Sequence, residues 1–129
     1  PVVYSGRGGP LKKGVAFFEK DTTPFGQYAY ADFYTTLNDL KHRNHALWNG
    51  IHGGLSRRIN ESKEVYAFMR EKDGDSFIGE FNLSPKPQKT TLQVPVTDMH
   101  IVFTNDQLTL DRDQTINLGP WEFFLFSSK

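Results

Sequence analysis

Closely spaced acidic side chains are the first residues of this sequence that could do chemistry. Glycoside hydrolysis needs two carboxylates, roughly 5–9 Å apart, on either side of a sugar-sized cleft. Three pairs are close along the chain: Glu19 with Asp21, Glu61 with Glu64, and Asp73 with Asp75. The last pair flanks a predicted hairpin turn, where aspartates are normally solvated or bonded to their own backbone. The other pairs lie in predicted loops, so we expect no catalytic residue in this chain.

The four histidines, His42, His45, His52 and His100, are the candidates for binding a metal ion. His42 and His45 share a helix face only if the helix continues that far. The chain has no cysteine and no His-Glu-x-x-His motif, so the usual zinc spacings are absent. Residues 6–9 (GRGG) are glycine-rich like a phosphate-binding loop, but they lack the Walker spacing and a following helix. The sequence therefore predicts surface histidines, with no metal site and no cofactor-binding site.

Aromatic side chains offer a different kind of site, because carbohydrate-binding modules stack pyranose rings on exposed aromatic faces. The candidates are Trp48, Tyr66, Trp121, Phe124 and Phe126. Aromatic residues in strands more often pack in a core, since they suit a half-buried pleated surface. We therefore predict core positions for the strand aromatics and expect Trp48 to fill the joint between helix and sheet. A carbohydrate-binding module with an exposed aromatic face stays the alternative.

One helix is predicted before all the strands. Phe33, Leu37 and Leu40 recur at i, i+4 and i+7, which places them on one face of a helix over residues 31–43. Asp32 stands where an N-cap carboxylate would accept a backbone N–H. Basic residues at 41–43 suit the C-terminal end of the helix dipole.

The rest of the chain alternates in short apolar runs that indicate strands. The Asp73-Gly74 dipeptide between two such runs is a strong signal for a tight hairpin turn. Together these runs make about seven or eight strands, with turn signals every eight to twelve residues. The predicted fold class is mainly β: an antiparallel β-sandwich of Greek-key type, preceded by one packed α-helix and an irregular N-terminal arm over residues 1–28.

Composition limits the classes of partner. Fifteen basic residues balance fifteen acidic ones, so the formal net charge is zero, and the basic excess typical of nucleic-acid binders is missing. No apolar run approaches the ~20 residues that span a bilayer. We therefore expect neither nucleic acid nor a membrane as a partner. The sequence does not indicate a cellular compartment.

The order of the motifs resembles the C-terminal part of an α-amylase-type enzyme of glycoside hydrolase family 13. Residues 1–6 (PVVYSG) resemble the last barrel strand of that family, and residues 17–21 and 31–34 resemble the segment that leads into the final barrel helix. Residues 65–70 and 81–84 resemble the first hairpin of the family's C-terminal β domain. One departure is residues 7–9 (RGG), where the family usually has Gln-Glu.

The resemblance implies a domain division and a function. Residues 1–50 would be the remnant of the catalytic barrel's last strand, loop and helix, and residues 51–129 the C-terminal β-sandwich. The family's catalytic aspartates and glutamate lie on earlier barrel strands, so they would precede Pro1. The parent enzyme would hydrolyse α-1,4-glucans, and this fragment alone would be inactive and would stabilise the end of the barrel. The implied partners are the catalytic barrel, an α-glucan, and a second copy of this chain, bound through the strand at residues 1–4 and the helix at residues 31–43 that would face the barrel in the parent enzyme.

Overall fold

The computed structural model describes residues 28–129, and the fold of this part is mainly β, as predicted. The predicted strand at residues 1–4, the segment at residues 6–9 and the Glu19–Asp21 pair lie outside the described residues. Within residues 28–129, no helix has the length and apolar character needed to cross a bilayer. The chain divides into two compact units, Pro1–Asp39 and Leu40–Lys129. The predicted domain boundary at residue 50 separates a remnant of the barrel from the β-sandwich, and it stays a prediction.

The described elements are one helix, two short 3-10 turns and eight strands. They are α1 (Ala31–Arg43), the first 3-10 turn (His45–Leu47), the second 3-10 turn (Gly50–His52), β1 (Arg57–Arg58), β2 (Val65–Lys72), β3 (Asp75–Asn82), β4 (Gln88–Thr91), β5 (Val96–Ile101), β6 (Gln107–Leu110), β7 (Thr115–Leu118) and β8 (Phe123–Ser127). Strands β1-β2-β3-β8-β5-β6 form a six-stranded sheet, and β4-β7 form a two-stranded sheet. Each pairing is antiparallel.

Helix α1 has the predicted bounds, but the predicted N-cap role of Asp32 is wrong. It begins at Ala31, so Asp32 lies in the first turn and acts on the helix dipole instead of capping. Leu40 is fully buried, Leu37 is half-buried and Phe33 is exposed. Only the last turn of the predicted apolar face is therefore part of a core.

The β2–β3 hairpin closes through the predicted Asp73-Gly74 turn. Lys72 pairs with Asp75 across it, and the two turn residues have φ values of 51° and 84°. A two-residue turn with positive φ at both positions is type I′, whose twist matches that of the strands it joins. This turn fixes which residues of β2 and β3 share a face.

The core contains apolar side chains, aliphatic and aromatic, from both sheets and from the loops that join them. Its buried members are Ile59, Ala67, Ile78, Leu92, Val96, Met99 and Phe126, with Phe124 and Ile116 partly buried against them. The core prediction is thus confirmed for Phe124 and Phe126.

The buried side chain of Asn44 links the segment after α1 to the β2–β3 hairpin by hydrogen bonds. Its side-chain amide donates to Ser76 O at 2.9 Å and to Ser127 Oγ at 3.0 Å, and its Oδ1 accepts from Ala46 N at 2.9 Å. One side chain therefore caps the first 3-10 turn and ties it to β3 and β8.

Trp48 does not fill this joint. Its ring packs edge-on against His45, with centroids 4.3 Å apart, and its Nε1 donates to His42 O at 3.4 Å. The ring stays partly exposed. The buried residues at the joint are Leu40, Asn44 and Ala46, because small and aliphatic side chains fit where the turn approaches the sheet.

We expect Asn44→Ala to lower the free energy of unfolding by roughly 2–3 kcal/mol, since it removes three hydrogen bonds and leaves a buried N–H without its acceptor. Urea unfolding would measure this. Arg43→Ala is the control, because Arg43 is exposed, and it should change stability by no more than about 0.5 kcal/mol. Equal urea midpoints for the two variants would contradict this structural role of Asn44.

Candidate functional site

The outer face of the six-stranded sheet carries a row of aromatic rings, which we call the aromatic ladder: Tyr66, Phe68, Phe81, Phe123 and Phe103. The Phe68 and Phe81 rings stack at 6.3 Å and 7°, and those of Phe81 and Phe123 at 6.0 Å and 21°. Tyr66 lies 5.6 Å from Phe68, and Phe103 meets Phe123 edge-on at 6.0 Å. These separations are those at which aromatic pairs attract each other beyond simple burial.

The register of the strands builds this ladder. Tyr66 pairs with Phe81, and Phe81 pairs with Phe123 on the next strand, so their side chains point to the same face. Phe68 pairs with Gly79. A Cβ at Gly79 would lie 2.9 Å from the Phe81 ring and 3.0 Å from the Phe68 ring, so the glycine provides the space into which both rings lean.

The ladder is apolar and still partly exposed. Exposed fractions are 39% for Tyr66, 37% for Phe123 and 41% for Phe103. The Arg58 guanidinium lies 5.7 Å from the Tyr66 ring centroid, within range of a cation–π attraction. The core prediction is therefore wrong for Tyr66, because it lies on the outer face, and wrong for Trp121, which is exposed in a loop. This face is the candidate functional site.

Asp75 does not behave as the predicted solvated turn residue. It is buried, and its Oδ2 accepts from the backbone N–H of His45 at 2.8 Å and lies 2.7 Å from His45 Nδ1. Its Oδ1 lies 3.4 Å from Lys129 Nζ. The His45 backbone N–H holds the pKa of Asp75 below its ordinary value, burial opposes this, and the His45 ring and Lys129 add to the lowering. Asp75 thus anchors the first 3-10 turn and is too enclosed to act on a substrate.

The other carboxylate pair in the described chain is Glu61 and Glu64. Both side chains are exposed, and Glu61 Oε1 accepts from Gln93 Nε2 at 3.1 Å. They line an open, polar groove together with residues of β4. The prediction of no catalytic residue is not tested by this geometry.

The histidines do not form a cluster in the described chain. Within residues 28–129, no group of three His, Cys, Asp or Glu side chains could hold a metal ion. His42 and His52 are exposed, His100 is half-buried on β5, and His45 is bound to Asp75. His45 is therefore a structural partner of a buried carboxylate, which its loop position alone did not indicate.

Glu80 is the residue that sequence reasoning missed. It is fully buried in the middle of β3, and neither carboxylate oxygen has a hydrogen-bond partner among residues 28–129. Its neighbours across the strands are Ala67 and Phe124. Burial raises the pKa of Glu80 to about 7, because the low-dielectric core disfavours the charged form. The alternation of side chains along the strand could have identified it. Glu80 lies two residues after Ile78 and is therefore on the same, core-facing side of β3.

No protein-family model matches the chain, and no curated protein matches it. The structure is similar to part of trehalulose synthase MutB from Pseudomonas mesoacidophila MX-45, with a TM-score of 0.54 and 22% identity. It is also similar to part of AmyP, solved in complex with maltose, with a TM-score of 0.61 and 16% identity.

The resemblance to α-amylase-family enzymes is confirmed in the fold. The match covers 74% of this chain and 17% of the MutB chain, and 76% of this chain and 20% of the AmyP chain. The chain therefore spans about a fifth or less of the enzymes it resembles. At these identities the likeness concerns the fold alone.

The space at Gly79 gives a test of the ladder. Gly79→Ala should cost about 1–3 kcal/mol of stability, because the new methyl group overpacks against the Phe68 and Phe81 rings. The cost should fall in a Phe68→Leu background, where one ring is gone, and a double-mutant cycle in urea would measure the difference. Strictly additive effects would show that the rings do not depend on the glycine.

Glu80 gives a pH-dependent prediction. Its carboxyl is neutral in both states below about pH 4.5, and it ionises in the unfolded chain before the folded one, whose pKa is about 7. The contribution of this pKa difference to the free energy of unfolding is therefore complete below pH 4.5. It is lost as the pH rises to about 7, and the loss is about 3 kcal/mol. Glu80→Gln should remove this loss, so the difference in urea midpoint between variant and wild type should shift in the variant's favour from pH 4.5 to pH 8. A difference that is constant with pH would contradict the assignment.

Proposed function

We propose that this chain is the non-catalytic C-terminal β domain of an α-amylase-type glycoside hydrolase acting on α-1,4-glucans. In this proposal the domain covers one end of the catalytic barrel and stabilises it. The supporting observation is the unequal coverage of the fold match, about three quarters of this chain against 17–20% of MutB and AmyP. Four fifths of such an enzyme would lie outside the matched part, which leaves room for a separate catalytic barrel.

The aromatic ladder supports the choice of contact surface. Its stacked rings form a continuous apolar row across β2, β3 and β8, and several are more than a third exposed. Exposed apolar patches of this kind commonly mark interaction sites, because burying them against a partner releases water from apolar surface. We assign the catalytic barrel of the parent enzyme as the partner.

The chemistry of the described carboxylates agrees with a supporting role. Asp75 is held by His45 and Lys129, and Glu80 has no access to a substrate. A retaining glycosidase needs two carboxyl groups about 5–5.5 Å apart in one cleft. We infer that the parent's catalytic carboxylates come from outside residues 28–129.

The first experiment is to read the coding sequence upstream of the Pro1 codon. The expected result is a continuous reading frame that encodes a (β/α)8 barrel with a pair of catalytic carboxylates at the C-terminal ends of its strands. An in-frame stop codon, or an upstream segment without such a barrel, would overturn the proposal.

The second experiment uses the whole enzyme. Tyr66→Ser removes an exposed ring from the ladder, so we expect the half-life of starch hydrolysis at elevated temperature to fall several-fold with the initial rate unchanged. Leu55→Ser is the matched control, because Leu55 is 89% exposed and lies outside the ladder. An unchanged half-life for Tyr66→Ser would reject the ladder as the contact surface.

A further inference from the structure

The segment between α1 and β1 contains the one Asn-Gly dipeptide of the sequence, Asn49-Gly50. Both residues are exposed. In such a dipeptide the backbone nitrogen of the glycine can attack the side-chain amide carbon of the asparagine, because glycine has no Cβ to obstruct the approach. The product is a cyclic succinimide, and ammonia is released. The question is whether this loop permits the reaction.

The backbone nitrogen of Gly50 is available for the attack. Gly50 begins the second 3-10 turn, and its N–H donates to no group among residues 28–129, as is usual for the first N–H of a helical turn. Its φ is 58°, and a Cβ built at this position would have no atom within 4 Å. The glycine therefore lies in open space with an N–H that the fold does not use.

The peptide between the two residues can turn toward the side chain. The ψ of Asn49 is 150°, so this peptide must rotate before the Gly50 nitrogen faces Cγ. Two long hydrogen bonds close the turn: His52 N donates to Asn49 O at 3.3 Å, and Gly53 N donates to Gly50 O at 3.2 Å. Exposed backbone bonds of this length open at low free energy. The rotation is therefore accessible from the folded state.

Lys41 polarises the side-chain carbonyl of Asn49. The Lys41 ammonium donates to Asn49 Oδ1 at 3.0 Å and also donates to Leu47 O. The second bond keeps the ammonium group in place on the last turn of α1. Attack at Cγ puts negative charge on Oδ1, and a fixed positive donor stabilises such an oxyanion. This contact therefore lowers the barrier to ring formation.

We propose that Asn49-Gly50 is a site of spontaneous deamidation, with Lys41 stabilising the oxyanion that forms on Oδ1. The Gly50 nitrogen gives its proton to solvent and forms a bond to Asn49 Cγ. The bond from Cγ to Nδ2 breaks, and Nδ2 takes a proton from solvent and leaves as ammonia. One water molecule then opens the succinimide, giving aspartate by cleavage at Cγ or isoaspartate by cleavage at the backbone carbonyl. This inference does not depend on the proposed function.

The two products differ in their effect on the loop. Aspartate keeps the main chain unchanged, and its carboxylate pairs with the Lys41 ammonium. Isoaspartate carries the main chain through the former side chain and so adds a methylene group to it. The flanking chain is held to β2 by Arg70, which donates to Trp48 O at 2.9 Å and to Gly54 O at 2.8 Å. A longer main chain between these two carbonyls should therefore weaken the contact between the loop and β2.

The test incubates the 129-residue chain at mildly alkaline pH and follows each asparagine by peptide mapping with mass spectrometry. Asn49 should convert at least ten-fold faster than Asn38 and Asn105, which are also exposed and are each followed by an aspartate. Its product should contain both aspartate and isoaspartate. Conversion of Asn49 no faster than that of the two other asparagines would overturn the proposal.

The role of Lys41 has its own test. Lys41→Met should slow the conversion of Asn49 several-fold in the folded chain, and Lys41→Arg should restore most of the rate, because it returns a positive donor. In urea the Lys41→Met variant and the wild type should convert at the same rate, since only the fold brings residues 41 and 49 together. Equal or faster conversion in folded Lys41→Met would overturn the role of the ammonium group.

Stability measurements separate the two products. Freshly prepared Asn49→Asp should have the urea midpoint of the wild type, because the ion pair with Lys41 replaces the hydrogen bond. The isoaspartate form, separated from an incubated sample by ion exchange, should unfold at a lower urea concentration. Equal midpoints for the isoaspartate form and the wild type would contradict the effect assigned to the longer main chain.

Discussion

The register of β2, β3 and β8 is the constraint on which the rest of the structure depends. The Asp73-Gly74 turn pairs Lys72 with Asp75, and this pairing places Ile78 and Phe126 in the core and Phe81 and Phe123 on the outer face. Because side chains alternate with a period of two, a slip of one residue would exchange these two sets. Such a slip would bury the aromatic ladder and expose the core side chains, so one tight turn determines both the core and the exposed aromatic face.

The two buried carboxylates of β3 show how local partners decide the effect of burial. Asp75 and Glu80 lie on the same strand and are both nearly inaccessible to solvent. Asp75 has a backbone N–H, an imidazole and an ammonium group around it, so the charged form is favoured and the pKa is lowered. Glu80 has no such partner, and the pKa is raised. Asp75 therefore stabilises the joint between the first 3-10 turn and the hairpin, while Glu80 weakens the sheet whenever it is charged.

Local patterns predicted the elements well because those patterns act locally. The bounds of α1, the Asp73-Gly74 turn and the alternation of the strands follow from helix period, turn geometry and pleat, which involve neighbours in sequence. The burial and the partners of Asp75, Glu80 and Tyr66 depend on contacts across strands and on which face of the sheet is covered. Asn44, for example, meets Ser127 across 83 positions of sequence. Residue type and spacing carry little information about partners so distant, and for this reason the aromatic ladder and the partners of Asp75 could not be predicted, whereas the alternation along β3 places Glu80 on the core face.

The ladder and Trp121 represent two different ways of presenting an aromatic side chain. The rings of the ladder contact one another, and all but Phe103 lie on regular strands. Phe68 and Phe81 depend on Gly79 for space, so these rings form part of the packing of the sheet. Trp121 lies on a loop with an unfavourable φ, and its backbone bonds leave the indole in solvent. The ladder therefore presents a continuous apolar row, whereas the indole of Trp121 stands apart from it, 63% exposed. The distinction follows from what each ring contributes to folding: removing a ladder ring loses packing, and removing the indole of Trp121 relieves strain.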